Sequence, residues 1–154
     1  MVSDEDLLAK LPRVRIDRDN ADHYRGLLER HLLINRCVDC RAWHHPPRSV
    51  CPRCWSRSIQ AEEVSGVGEI AFVTFLHQGP RAPGVDYVGG RPVAAVELVE
   101  QAGLRVAASI VDSAREAVLP GAPVELLWQE RDGQPVIAFR VVASRVVATA
   151  GQPS

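Results

Sequence analysis

Four cysteines, Cys37, Cys40, Cys51 and Cys54, fall as two Cys-x-x-Cys pairs ten residues apart and are all the cysteines the chain has. A two-residue gap lets the backbone turn sharply enough for both thiolates of a pair to address one cation. Two such knuckles facing each other complete a tetrahedral S4 site. Soft thiolates in that geometry select Zn²⁺, or iron in a rubredoxin-like site, over hard cations. A pair of structural disulfides is the competing use of the same residues. Four thiolates leave no open coordination position, so the metal's default role is to hold the fold together.

The residues around the knuckles extend this reading. Arg36, Arg41, Arg48, Arg53 and Arg57 crowd the cysteines, and residues 1–60 carry 11 Lys+Arg against 8 Asp+Glu. Zn²⁺ with four thiolates has a formal charge of −2, which arginines can partly neutralise. An anion-binding role is the alternative. Trp43 and Trp55 are expected to shield the sulfurs from water. His44 and His45 are surplus to a complete shell and read as surface or hydrogen-bonded loop residues.

No other constellation of catalytic type is present. With the cysteines committed to metal, no free thiol is left as a nucleophile. The chain lacks a Gly-x-Ser-x-Gly elbow, a phosphate-binding loop and a His-Glu-x-x-His motif. Glu62 and Glu63 are adjacent, and adjacent strand residues face opposite ways, so they cannot work as a convergent pair. No helix-length apolar run is long enough to span a bilayer. The N-terminus lacks the features of a secretory signal. With free thiols favoured by reducing compartments, these point to the cytoplasm.

The elements that must position the knuckles follow from periodicity. At 154 residues, one ordinary domain or a metal-stapled module plus a compact domain fits. Residues 1–19 show no sustained period and read as a flexible lead-in. Asn20 is placed to cap a short amphipathic helix over Ala21–Arg30, where Tyr24, Leu27, Leu28 and His31 recur at helical spacing. Leu32-Leu33-Ile34 leads into the first knuckle as a strand. The stretch Arg41–Val50 is too short and proline-rich for a helix, so residues 20–60 form a helix and ribbon.

From residue 61 to 145 the pattern is that of strands: Glu69–His77, Pro92–Val99, Leu104–Val111, Val124–Gln129 and Val136–Ala143. A long loop, Gln78–Arg91, follows the first. Asp112–Leu119 forms a helical turn or loop after the third, and Asp132-Gly133 turns the final hairpin. Residues 146–154 read as a disordered tail. Five short strands with such an insert before the fourth match a mainly β architecture ending in an oligonucleotide/oligosaccharide-binding (OB) barrel.

This order of parts resembles a known family of small prokaryotic proteins with an N-terminal helix, a rubredoxin-like zinc ribbon and a C-terminal OB fold. The family was long described as a domain of unknown function associated with acyl-CoA metabolism. The resemblance runs from about Ala21 to Val142. It is carried by His-Tyr-Arg-Gly-Leu at 23–27, Leu-Leu-Ile-Asn-Arg-Cys at 32–37 and His-Pro-Pro-Arg-Ser-Val-Cys-Pro-Arg-Cys at 45–54. Ser-Gly-Val-Gly-Glu-Ile at 65–70, Pro-Val-Ala-Ala-Val-Glu-Leu at 92–98 and Leu-Pro-Gly-Ala-Pro-Val-Glu at 119–125 extend it into the barrel. The family often has Gly after the second cysteine of each knuckle; here Arg41 and Trp55 stand there.

The resemblance implies a non-catalytic accessory subunit, paired in a hetero-oligomer with a thiolase-like protein. Its partners would be thiolases, ketoacyl synthases of the hydroxymethylglutaryl type or aldolases that shorten steroid side chains. The subunit would organise the complex and help present acyl-CoA. Arg41, Arg48 and Arg53 are then candidates for coenzyme A phosphates, since phosphate recognition favours arginine's planar fork. The Gln78–Arg91 loop and the Ala21–Arg30 helix are candidate partner surfaces.

Two other classes were weighed. Single-stranded nucleic-acid binding needs aromatics and cations on the second and third barrel strands. Those strands contain no aromatic residue and Arg105 as their one cation. Rubredoxin-like electron transfer needs iron and would colour the protein red. On loss of the metal, the ribbon is expected to unfold and the barrel to survive as a separate fold.

Overall fold

The structure is a computed structural model that describes residues 1–81 and 85–143; the expected tail at 146–154 lies outside them. Two helices, α1 (Asp4–Lys10) and α2 (Ala21–Glu29), precede a three-stranded ribbon sheet and a closed five-stranded barrel. The ribbon sheet has the order β2-β1-β3, with β1 at Leu33–Cys37, β2 at Trp43–His44 and β3 at Ile59–Glu63.

The lead-in is more ordered than the sequence pattern implied. Ser3 caps α1, its hydroxyl accepting from the Asp6 amide at 3.1 Å, and Leu7 is fully buried. Arg25 of α2 ties α1 down, donating to the Val2 carbonyl at 3.0 Å and pairing with Asp4. A seven-residue helix with one buried leucine is too short to display a hydrophobic period.

Helix α2 starts after Asn20, whose side chain makes no capping bond. Its amide oxygen instead accepts from the Asp17 amide at 2.9 Å, bracing the preceding turn. The close approach of α2 to β1 depends on Gly26. A Cβ there would lie 2.6 Å from both the His31 carbonyl oxygen and Leu33 Cγ, so any side chain would push the helix off the ribbon.

The barrel strands are β4 (Val67–Leu76), β5 (Arg91–Leu98), β6 (Arg105–Ile110), β7 (Pro123–Arg131) and β8 (Gln134–Val141). They close in the order β4-β5-β6-β8-β7. All neighbours are antiparallel except β6 and β8, joined in parallel at Ser109↔Ala138 and Ile110↔Phe139. That pairing is the OB arrangement. A 3₁₀ turn, Arg115–Ala117, occupies the insert before β7. Asp132 and Gly133 both take positive φ, 51° and 73°, as a two-residue type I′ turn requires.

A β-bulge between Ile70 and Phe72 explains why β4 is apolar on both sides. It reverses which residues face inward. Ile70 is buried before it; Val73 and Phe75 pack on the core after it, while Phe72 turns outward at 63% exposure.

Ribbon and barrel do not have separate cores. Leu32 and Ile34 from the ribbon side, and Val64 after β3, join Ile70, Val96, Val118, Val124 and Phe139 in one buried cluster. Gln101, in the β5–β6 turn, locks the two together. Its side chain accepts from the Trp43 amide and donates to the Trp43 carbonyl, both at 2.9 Å. The expectation that the barrel would stand as a separate fold is therefore corrected.

Candidate metal centre and its surroundings

Both knuckles are built by one hydrogen-bond pattern. In the first, the Arg41 amide donates to the Cys37 carbonyl at 3.0 Å and the Cys37 amide to the Ala42 carbonyl at 2.9 Å. In the second, the Trp55 amide donates to the Cys51 carbonyl at 3.0 Å and the Cys51 amide to the Ser56 carbonyl at 2.8 Å. Each loop closes through a left-handed residue, Arg41 at φ 61° and Trp55 at φ 64°. Glycine suits that conformation best, yet this chain builds both turns with side chains present.

The loops bring the four Sγ atoms within 4.8 Å of one another, and all four thiols are free. Cys37–Cys54 and Cys40–Cys51 sulfurs are each 3.6 Å apart. A tetrahedral metal with metal–sulfur bonds of about 2.3 Å would space its sulfurs by roughly 3.8 Å. The donor set therefore fits a single four-coordinate ion. When bound, such an ion serves as a cross-link between the two knuckles; the rest of the site is the work of the polypeptide.

Amides stabilise the thiolates. The Cys40 amide is the main reason the Cys37 thiol is lowered to about 7, and the Arg53 amide lies 3.4 Å from Cys51 Sγ. Burial pushes the Cys51 thiol up, but the Cys54 and Arg53 amides outweigh it and leave it lowered. At Cys54 the Ser56 amide acts to lower the thiol. The Cys40, Cys37 and Cys51 sulfurs together with burial prevail, raising it to about 12. Metal uptake must displace that most tightly held proton, so it is proton-linked.

The aromatic shield differs from expectation. Trp55 is 81% exposed, and Trp43 faces the shared core with the Arg36 guanidinium 4.7 Å above its ring. Cys37 and Cys51 are covered instead by Ala42 and Ile59. A large side chain on a left-handed turn residue is thrown outward, which the residue type alone does not disclose.

The histidines also depart from the surface reading. His44 is 7% exposed, and neither of its ring nitrogens has a hydrogen-bond partner among the described residues. His45 packs its ring 5.2 Å from that of His23, and His23 Nδ1 lies 2.7 Å from the Leu33 carbonyl oxygen. With Asn35, these residues form a buried polar layer between α2 and the ribbon. Burial holds His23 below its ordinary range, and burial plus the His23 charge lowers His45 to about 4. No sequence signal marked this layer, because it depends on how α2 docks.

With the geometry in place, comparison with known proteins gives a consistent answer. A family model described as the ChsH2 rubredoxin-like zinc ribbon domain matches residues 25–60, and the ChsH2 C-terminal OB-fold domain matches 61–129. A DUF35 domain-containing scaffold protein of Methanocaldococcus jannaschii is 33% identical over 111 residues, covering 69% of this chain and 74% of that protein. The chain belongs to the DUF35 family. A solved structure titled "Ltp2-ChsH2(DUF35) aldolase" superposes with a TM-score of 0.72 at 33% identity, over 84% of this chain and 98% of that one. A Thermomonospora curvata protein named "Probable enoyl-CoA hydratase alpha subunit" is 37% identical over 122 residues, or 79% of this chain. This chain spans only 36% of that relative's length.

In this DUF35 chain the two family models meet between residues 60 and 61, within β3, which pairs along its whole length with β1. Glu62 on that strand accepts from Arg36 at 2.7 Å and lies 3.3 Å from Arg41. The Arg36 hydrogen bond, followed by that of Gln60, holds its carboxyl below the usual range. Glu63 points the other way, to His31 Nδ1 at 2.8 Å, as two neighbouring strand residues must.

The arginines named from the sequence occupy three settings. Arg41 is engaged by Glu62. Arg48 and Arg57 border a 130 Å³ recess with Arg18, Asn35 and Ser49. Arg53 lies in a separate depression beside Trp43 and Gln101. Arg48, Arg53 and Arg57 have no ion-pair partner among the described residues. No helix among those residues is long and apolar enough to cross a membrane.

Proposed function

We propose that this chain is a non-catalytic accessory subunit of a thiolase-superfamily complex acting on acyl-CoA, in which it assembles the complex and helps present the thioester. The partner would be a thiolase, a ketoacyl synthase or a steroid side-chain aldolase. The observation that carries the reading is the S4 cluster, which takes up every thiol of the chain. It does so in a fold that superposes on the DUF35 component of an aldolase. A closed site offers no position for substrate. The ion is zinc on this reading, since a colourless structural clamp is all the site requires. Free thiols in this arrangement suit a cytoplasmic location.

The hydratase named for the T. curvata relative does not transfer to this chain, because most of that protein lies outside the match. For coenzyme A, Arg48 and Arg53 are the better placed of the three arginines, being free of carboxylate partners; Arg41 would have to leave Glu62. Their contact with phosphate belongs at the shared interface.

Co-expression with the thiolase-like protein encoded beside it tests the proposal. The expected result is a stoichiometric complex on size-exclusion chromatography, with thioester turnover in the complex and none by this chain alone. Turnover by the isolated chain, or failure of the two proteins to associate, would overturn the assignment.

A further inference from the structure

The open end of the barrel, opposite the β5–β6 turn that holds the ribbon, carries a cavity the accessory role does not use. Its volume is 590 Å³, inside the roughly 300–1,000 Å³ range of small-molecule sites. It lies between the loop before β5 and the β7–β8 turn, the two connections with which OB folds hold ligands.

The floor is apolar, with Phe75, Ile110 and Val118 lining it. Two cations are fixed against that floor. The Arg115 guanidinium stacks 4.0 Å from the Phe75 ring centroid and donates to the Gly89 carbonyl. Arg91 donates to Ser109 Oγ at 2.6 Å. Neither has a carboxylate partner among the described residues. Stacking and hydrogen bonding reduce the freedom each guanidinium would lose on gripping a ligand.

The charge around the cavity narrows the ligand. Arg91, Arg115 and Arg131 face Asp86 and Asp132, while Glu130 is neutralised by Arg30 from α2. The Asp86 carboxylate is also occupied in part, accepting from the Val88 amide at 2.8 Å. An excess of one positive charge suits a monoanion over a phosphate dianion. The geometry points to the barrel mouth as a binding site for an amphipathic carboxylate, its alkyl or acyl chain on the Phe75–Ile110–Val118 floor and its carboxylate against Arg115 and Arg91. This assignment is independent of the partner proposed above, and its test uses the chain alone.

The metal-loaded chain, labelled with ¹⁵N, is titrated with octanoate, octan-1-ol and inorganic phosphate and followed by two-dimensional NMR. Octanoate is expected to saturate with amide shifts at Gly90, Ile110 and Val118. Octanol and phosphate are each expected to bind at least about tenfold more weakly, since each lacks half of the recognition. Arg115→Gln should weaken octanoate by about tenfold or more, with the melting temperature reporting that the fold is intact. Arg91→Gln gives the same readout should Arg115→Gln fail to fold. Equal binding of octanol or phosphate, unchanged affinity in the folded arginine variant, or shifts confined to the opposite end near Val99 and Val142 would overturn the site.

Discussion

The ribbon and the barrel reach order by different means. The barrel closes on itself through five strands and a core of branched and aromatic side chains. The ribbon sheet has strands of five, two and five residues. Its own interior amounts to Cys37, Ala42 and Cys51 with Cys40 and Ile59 packed on them. A module that small cannot offset its chain entropy by burial, so it leans on the thiolate cross-link at one end and on the barrel's core at the other. The inequality teaches that the metal governs more than the ribbon: Leu32, Ile34 and Val64 transmit its effect into the barrel.

The largest effect should come from breaking the clamp. Structural zinc contributes about 10–16 kcal/mol in small metal-folded domains, comparable with the roughly 5–15 kcal/mol that hold a typical domain together. Chelation or Cys51→Ser is expected to unfold the ribbon and lower the barrel's melting temperature as well, measured by circular dichroism alongside metal analysis. A barrel melting unchanged would mean that the two cores are uncoupled.

Core truncations come next. Ile34→Ala on the ribbon and Phe139→Ala in the barrel should each cost about 2–5 kcal/mol in denaturant unfolding. Ile34→Ala should also accelerate metal loss to a chelator, because it loosens both regions. Gln101→Ala removes two hydrogen bonds to Trp43 and should cost about 1–3 kcal/mol. Its distinguishing sign is separation of the ribbon and barrel transitions in the melt.

The buried histidine layer gives a pH dependence of definite sign. His45 is held at about 4 against an ordinary value of 6.5, so the unfolded chain binds the proton first as pH falls. Its contribution to stability is complete above about pH 6.5 and is lost as pH drops toward 4. Unfolding free energies across that window should slope upward with pH, and His45→Gln should flatten the slope. The smallest effect concerns backbone strain. Trp55 holds φ 64° with its side chain exposed, so Trp55→Gly should be neutral or stabilising by up to about 1 kcal/mol.

What could be read in advance follows the same division. Cys-x-x-Cys spacing and strand alternation are local patterns, so the metal site, the five barrel strands and the Asp132-Gly133 turn were all legible. The antiparallel neighbours followed from short connections. The parallel β6–β8 pairing needs the closed barrel, which no local window contains. The bulge at Ile70/Phe72 was visible only as an odd apolar run on both faces. Three features were hidden: the docking of α1 by Leu7 and Arg25, the outward Trp55, and the burial of His44 beside Asn35. Each depends on the position of one element against another, and each residue type involved is common at the surface.

Native mass spectrometry of the intact, folded chain tests the central claim most directly. The account predicts one divalent ion per chain, at the mass expected when four thiol protons have been displaced. A folded chain at the mass of four free thiols, or at that of two disulfides, would contradict it.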